Sequence, residues 1–231
     1  THRIYEGDGR LMEHLGAEPL VHLVVTSPPY LNLKEYPDRP GSQLGNMPDY
    51  QEFLTELSSV WRRCFQLLVP GGRLCVVVGD VCLSRRRAGR HSVVPLHADI
   101  SRQCIEFGLD YLSPIFWYKI ANAATEVEGN GSAFLGKPYE PNAIVKNDIE
   151  YVLFLRKGGG YRSIGPVQKA LSMLTKEEMQ TWFSSFWTDI KGASTRGGHP
   201  APYPVELAER LIRMFSFAGD TVLDPFAGTA T

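Results

Sequence analysis

The sequence predicts an α/β fold with a mostly parallel sheet, because short apolar segments alternate with amphipathic helical patterns along its first half. A strand is predicted over 22–26, where apolar and β-branched residues precede two prolines, and another over 73–79, ahead of Asp80. Between them, apolar residues recur at helical spacing over 50–68, after Asp49, which can cap a helix. A strand, a helix and a strand in this order form the crossover unit of a parallel sheet.

The second half continues the alternation less regularly. The same criteria predict a helix from Leu96 to Gly108, strands over 111–118 and 150–155, a helix over 205–217 and a strand over 221–224. They also predict a helix after the capping-box pair Thr175 and Glu178, with an apolar face that extends to Phe186 and Trp187. Residues 120–200 are rich in Gly, Asn and Pro. This region is therefore expected to hold an insertion that decides specificity.

Composition excludes several classes of protein. Of the 231 residues, 43% are hydrophobic and 21% are charged, which is typical of a globular chain and not of a disordered one. The net charge is −1, so affinity for nucleic acid would need a local basic patch. The four cysteines form no CxxC pair, and no apolar run is long enough to span a membrane. We expect a reduced, cytoplasmic protein without a metal site or a membrane partner.

Residues 26–30, Thr-Ser-Pro-Pro-Tyr, directly follow the first predicted strand. Consecutive prolines fix the backbone and have no N–H, so the turn presents hydrogen-bond acceptors. Acceptors at Ser27 and at the Pro28 carbonyl, beside the ring of Tyr30, suit a planar ligand with an amino group, such as a nucleobase. From these residues alone, an ordinary double-proline turn is equally consistent.

A second loop of small residues, 224–229, also follows a predicted strand directly. Backbone N–H groups in such a turn bind nucleotides, although a turn with one glycine is a weak signal by itself. A third strand end is predicted at Glu6-Gly7-Asp8, where Asp8 offers a carboxylate to a nucleoside. Because ligands bind at the carboxyl ends of strands in open α/β sheets, we expect these segments to share one site.

Together, the TSPPY and DPFAGT segments resemble the catalytic and cofactor motifs of S-adenosylmethionine-dependent amino methyltransferases that act on DNA. Their order is similar to that of the circularly permuted beta class, and SPPY is the form typical of N4-cytosine enzymes. The resemblance implies a Rossmann-like, doubly wound sheet with an inserted target-recognition region. It also implies direct in-line transfer of the methyl group to a flipped base, and none of the four cysteines follows a proline as the nucleophile of ring-carbon enzymes does.

The resemblance also assigns roles to particular residues. Ser27, Pro28, Pro29 and Tyr30 would hold the base. The cofactor would contact Asp8, Thr26, Asp224, Pro225, Phe226, Ala227, Gly228 and Thr229, together with His199, Pro200 and Pro202 of a third motif, which spacing alone equally explains as a proline-rich helix entry.

Contacts to double-stranded DNA are expected from a basic loop that follows the strand ending near Asp80. The alternative is a solvated surface loop without a role in binding. The arginines that would bind phosphates are Arg85, Arg86, Arg87 and Arg90. Trp117 and Lys119 resemble the family's segment beside the target base, although core packing is the other reading of the aromatic residue. Asn122 would contribute to sequence readout.

The predicted organisation is a catalytic half over 1–119, a target-recognition insertion over 120–198 and the start of the cofactor-binding half over 199–231. The chain stops where another helix should begin, so we expect further residues there. Three other functions stay open. They are N6-adenine methylation, an RNA or protein-glutamine methyltransferase, and a catalytically silent nucleic-acid-binding module, which Ala230 at a usual glycine position favours. A homodimer and a restriction endonuclease counterpart stay open as well.

Overall fold

Eight strands organise the computed structural model, which describes residues 1–31, 43–83, 89–90, 92–119, 147–192 and 204–228. They are β1 (Val21–Thr26), β2 (Leu68–Val78), β3 (Val81–Leu83), β4 (Ser92–Val94), β5 (Leu109–Tyr118), β6 (Ile149–Lys157), β7 (Phe186–Trp187) and β8 (Val222–Leu223). Six of these described strands form one sheet in the order β7-β5-β6-β2-β1-β8, and β3 and β4 form a separate pair.

The main sheet is mostly parallel, as predicted. Strand β1 runs parallel to both β2 and β8, and β5 runs parallel to β7. Strand β6 is antiparallel to both of its neighbours, β2 and β5. One strand of the six is therefore reversed, and the carboxyl ends of the other five lie along the same edge.

The described helices are α1 (Tyr50–Leu67), α2 (Leu96–Glu106), α3 (Pro166–Leu171), α4 (Lys176–Trp182) and α5 (Val205–Phe215), with short 3-10 turns at Glu13–Leu15 and Leu44–Asn46. Asp49 caps α1 as predicted, because its carboxylate accepts from the backbone N–H groups of Gln51 and Glu52. The capping box of α4 is also present. Within the described residues, no helix is long and apolar enough to cross a membrane.

Helices cover both faces of the sheet, as expected for a doubly wound fold. Val24 and Val76 belong to the core that includes buried side chains of α1 and α2. The adjacent residues Leu23 and Val77 belong to a second core, which includes Leu207 and Leu211 of α5. Because successive strand residues point to opposite faces, a continuous apolar run in β1 and β2 is buried on both sides.

The interval 120–198, predicted to be the target-recognition insertion, contains two of the described strands of the main sheet. Strand β6, which includes the predicted strand 150–155, lies between β2 and β5, and β7 lies at the sheet edge. The predicted apolar helix face is wrong at Phe186 and Trp187, since α4 ends at Trp182 and these two residues form β7. Residues 120–146 and 193–198 lie outside the described ranges, so the boundaries of the recognition region stay a prediction.

A buried ion pair precedes β8 and should make stability sensitive to acid. Asp220, with 2% of its side chain exposed, accepts from both terminal nitrogens of Arg162 at 2.8 and 2.6 Å and from the Phe217 N–H at 2.9 Å. Burial acts to raise the pKa of Asp220, but these donors stabilise the carboxylate more, and the pKa lies below its usual value.

Because the folded state binds this proton less tightly than the unfolded state, the pair stabilises the fold at neutral pH. That contribution is lost as the pH falls below about 4, through the lowered pKa of the folded protein. We expect Asp220→Asn to reduce the free energy of unfolding at neutral pH by about 2–3 kcal/mol and to flatten this part of its acid dependence. Urea unfolding across a pH series measures both, and an unchanged acid dependence in the variant would contradict the assignment.

Candidate functional site at the carboxyl edge of the sheet

The two motif loops lie side by side, because β1 lies between β2 and β8 and runs parallel to both. Residues 27–30 leave the carboxyl end of β1, and residues 224–228 leave that of β8. Gly79 and Asp80 leave the carboxyl end of β2. The sheet topology thus brings all three segments to one edge, where ligands bind in open α/β folds.

A hydrogen bond joins the two motif loops directly. Thr26 is fully buried, and its Oγ1 donates to Asp224 Oδ1 at 2.5 Å. The same carboxylate oxygen accepts from the backbone N–H of Phe226 at 2.9 Å, and the Phe226 ring packs edge-on against Trp61. Gly228 has a φ of 54°, in the left-handed region that favours glycine. Asp224 therefore fixes the start of its own loop and ties it to β1.

The Tyr30 side chain is held by the end of β2. Its hydroxyl oxygen accepts from the Gly79 N–H at 3.1 Å, and a Cβ atom added to Gly79 would lie 3.8 Å from that oxygen. Pro28 is buried, and Ser27 and Pro29 are half-buried. The structure therefore places the four predicted catalytic residues together at the end of β1, with the aromatic ring fixed from the neighbouring strand.

The N-terminal segment lies against the β8 loop, but the strand end predicted at residues 6–8 is wrong, because the first described strand begins at Val21. A Cβ atom added to Gly9 would lie 2.9 Å from the Pro225 carbonyl oxygen, so the two backbones are in close contact. Asp8 is next to this contact, but its carboxylate accepts from Arg10 at 2.6–2.9 Å. The Arg10 side chain, which also pairs with Glu56, lowers the pKa of Asp8 despite partial burial. Asp8 is therefore ionised and near the loop, with Arg10 as a bound partner.

Two residues predicted to contact nucleic acid are engaged within the protein. Trp117 is fully buried, and its indole N–H donates to the Ile190 carbonyl at 2.9 Å. The predicted base contact of Trp117 is therefore wrong, because alternation along β5 turns this ring into the core. Lys119 pairs with Glu150 at 2.5 Å, and its ammonium lies 5.5 Å from the centre of the Trp117 ring. Its charge is largely compensated by Glu150.

Of the basic loop, Arg90 is described and exposed. The other predicted residues that lie outside the described ranges are Arg85, Arg86, Arg87, Asn122, His199, Pro200, Pro202 and Thr229. Ala230 lies outside them too.

Sequence reasoning missed His97, whose Nδ1 lies 2.6 Å from Asp80 Oδ1 at this edge. Asp80 directly follows a predicted strand, and that position is the signal by which the pair could have been found. The location of His97 depends on how α2 packs, which its local sequence does not specify.

Three of the four cysteine thiols are buried in the core and do not contribute to this edge. Burial raises the pKa of the Cys64, Cys75 and Cys104 thiols, so these three side chains are neutral near physiological pH. Across the described part of the chain, no group of three or more His, Cys, Asp or Glu side chains could hold a metal ion. The described groups at the edge include hydrogen-bond acceptors, the Tyr30 ring, carboxylates and the His97 imidazole.

This fold and edge site define an α/β enzyme of the methyltransferase type. A model of the N6 and N4 methyltransferase family, described as DNA methylase, matches residues 21–231, and the chain belongs to this family.

Known relatives agree with this assignment. The chain is 35% identical to the type II methyltransferase M.MjaI of Methanocaldococcus jannaschii, and the match covers all of this chain and 82% of M.MjaI. It is 50% identical to TTHA0409, a proposed DNA modification methylase of Thermus thermophilus with a structure in complex with S-adenosyl-L-methionine. That match has a TM-score of 0.76 and covers 99% of this chain and 80% of the other. The PvuII cytosine-N4-specific DNA methyltransferase, at 20% identity, shares the fold, with a TM-score of 0.61 over 95% of this chain and 72% of its own.

Proposed function

We propose that this DNA methylase transfers a methyl group from S-adenosylmethionine to the N4 amino group of cytosine in double-stranded DNA. The bond from Thr26 to Asp224 carries the proposal, because it joins the acceptor-rich loop after β1 to the small-residue loop after β8. The complex of TTHA0409 with S-adenosyl-L-methionine, at 50% identity, supports the cofactor. The SPPY form of residues 27–30 supports cytosine as the target.

The residues present fit the cofactor. Gly9 is in close contact with Pro225, and Gly228 has a left-handed backbone. At both glycines the main chain at the β8 loop is not covered by a side chain. Residues 224–229 would hold the methionine part, with Thr26 behind them, Asp8 near the adenosine, and His199, Pro200 and Pro202 in the third motif. Bound S-adenosylmethionine supplies an electrophilic methyl group on a sulfonium.

The protein's own residues act on the target base. An exocyclic amino group is a weak nucleophile, because its lone pair is delocalised into the ring. Ser27 Oγ and the Pro28 carbonyl accept its two N–H bonds and orient the lone pair, while Tyr30 stacks on the ring. Held in this way, the amino nitrogen would accept the methyl group that the cofactor supplies, with the carbon–sulfur bond breaking as the carbon–nitrogen bond forms, and the released proton would pass to water. Fixed acceptors at this position favour the developing positive charge on nitrogen.

A base within a duplex cannot reach this edge, so the target must be flipped out of the helix. The arginines of the basic loop, 85–87 and 90, are the proposed phosphate contacts, and the region 120–198, with Asn122, is the proposed reader of the sequence. The type II methyltransferase names of the relatives support a restriction endonuclease of matching specificity as counterpart. We place the reaction in the cytoplasm, where such DNA is accessible.

Transfer of radiolabelled methyl from S-adenosylmethionine tests this function. We expect label in double-stranded DNA, unaffected by excess RNA, and calorimetric binding of the cofactor with micromolar affinity, a change of about −8 kcal/mol. DNA binding without cofactor binding would identify a silent module instead. Label that RNA competes away, or that appears only in protein, would assign the pocket to another amino or amide substrate.

A further inference from the structure

His97 lies in the first turn of α2 and makes two contacts at the site edge. Its Nδ1 is 2.6 Å from Asp80 Oδ1, and its backbone N–H donates to the same oxygen at 3.4 Å. A carboxylate only accepts hydrogen bonds, so Nδ1 carries a proton. Asp80 thus serves as an acceptor for both the ring and the N-terminus of α2, where a negative charge is favourable. The side chains of His97 and Asp80 are 25% and 13% exposed, respectively.

The imidazole ring is also fixed across its face. It stacks on Tyr151 of β6 with ring centres 3.8 Å apart and planes 7° from parallel. Tyr151 is opposite Val78, the last residue of β2, and its ring meets Phe116 edge-on. The in-plane bond to Asp80 and the stacking on Tyr151 together leave the ring little freedom, and a substitution can remove one contact while keeping the other.

The turn that contains Asp80 supports the catalytic loop. Gly79, the preceding residue, donates its N–H to the Tyr30 hydroxyl at 3.1 Å. Asn147 Nδ2 donates to the Asp80 carbonyl at 3.3 Å from the segment before β6. The two-residue turn is therefore held by α2, by the start of β6 and by the loop it supports, and the bond from His97 is the shortest of these.

We propose that His97 is a positioning residue: by holding the Asp80 carboxylate, it fixes the Gly79 N–H against the Tyr30 hydroxyl and so keeps the Tyr30 ring in place for the target base. The role deepens the proposed function and rests on it, since Tyr30 is the base-stacking residue there. The hydrogen bond, and not the ring stacking, carries the effect. Cofactor binding, at the β8 side of β1, is independent of it.

Two variants separate the contacts. His97→Asn keeps an N–H donor near the Nδ1 position and removes the ring, whereas His97→Phe keeps a ring for Tyr151 and removes the donor. Ser101→Ala is the matched control, because the Ser101 hydroxyl bonds only to the His97 carbonyl within the same helix among the contacts described. Circular dichroism and calorimetric cofactor affinity verify that each variant is folded.

Amide hydrogen exchange at Gly79 reads the anchoring without any activity. We expect His97→Phe to raise the exchange rate about tenfold and to lower the single-turnover rate of methyl transfer about tenfold, with the cofactor Kd unchanged. His97→Asn and Ser101→Ala should stay within about threefold of the parent in both measurements. Asp80→Ala should reproduce His97→Phe, and the double variant should be no worse than either single change.

The proposal is overturned if His97→Phe leaves Gly79 exchange unchanged, since the hydrogen bond would then not anchor the turn. It is also overturned if His97→Asn is perturbed as much as His97→Phe, since a retained donor would then not preserve the anchoring. If Gly79 exchange responds as expected but the parent protein transfers no methyl to DNA, the anchoring by His97 stands and the proposed function fails. The two failures are therefore distinguishable.

Discussion

Replacing Ser27 with alanine is expected to lower the single-turnover rate of methyl transfer by about 10²- to 10³-fold, the usual effect of removing one fixed polar group that stabilises developing charge. Ser27 leaves the end of β1, next to a buried proline and a tyrosine anchored on Gly79. In the proposed mechanism its hydroxyl is half of the acceptor pair that orients the amino group, and the substitution leaves the Pro28 carbonyl in place. A reduced rate, not a complete loss, is therefore the expected result.

Cofactor affinity distinguishes this effect from general damage. Ser27 makes none of the described bonds that hold the β8 loop, so the Kd for S-adenosylmethionine should stay within about twofold of the parent. Ser59→Ala, on the exposed face of α1, is the matched control and should change neither quantity. A Ser27→Ala protein with the parent rate would remove Ser27 from the mechanism.

Asp224→Ala is expected to have the second large effect, on cofactor affinity and stability together. The substitution removes the acceptor for the Thr26 hydroxyl and for the Phe226 N–H. Thr26 is fully buried, so its hydroxyl would be left without this partner in the core. Bonds to a carboxylate of this kind contribute about 1.5–3 kcal/mol each, and we expect a loss of about 3 kcal/mol in unfolding free energy.

The loop over 225–228 would lose its attachment to β1, and we expect the Kd for S-adenosylmethionine to rise by at least about tenfold. Titration calorimetry and urea unfolding measure the two effects. Thr26→Val is the control that removes the buried hydroxyl and leaves the Phe226 bond intact, so its effect on the Kd should be smaller. If Asp224→Ala binds the cofactor as tightly as the parent does, the β8 loop is not the cofactor site.

The sequence was sufficient to predict the elements that have strong local signals. Strand β1 is a β-branched run stopped by prolines, and α1 has a capping residue and a regular apolar face. The common edge for the two motif loops also follows, because parallel strands present their carboxyl ends together. Strand β7 was missed, because two aromatic residues at helical spacing after α4 cannot be distinguished from an extended pair by periodicity.

Side-chain direction and long-range contacts could not be predicted from the sequence. Trp117 lies on β5 and Lys119 directly follows that strand, and only the three-dimensional packing shows that the first is in the core and the second is paired with Glu150. The bond between Thr26 and Asp224 joins residues 198 positions apart. His97 reaches Asp80 through the packing of α2, a tertiary effect without a local signal.

The identity of the methylated base decides whether this protein modifies cytosine at N4. Unmethylated DNA incubated with the protein and S-adenosylmethionine would be digested to nucleosides and analysed by mass spectrometry, beside the Ser27→Ala protein. We expect N4-methylcytosine from the parent protein and a strongly reduced yield from the variant. N6-methyladenine as the product would contradict the assignment of cytosine, and an equal yield of N4-methylcytosine from Ser27→Ala would contradict the site.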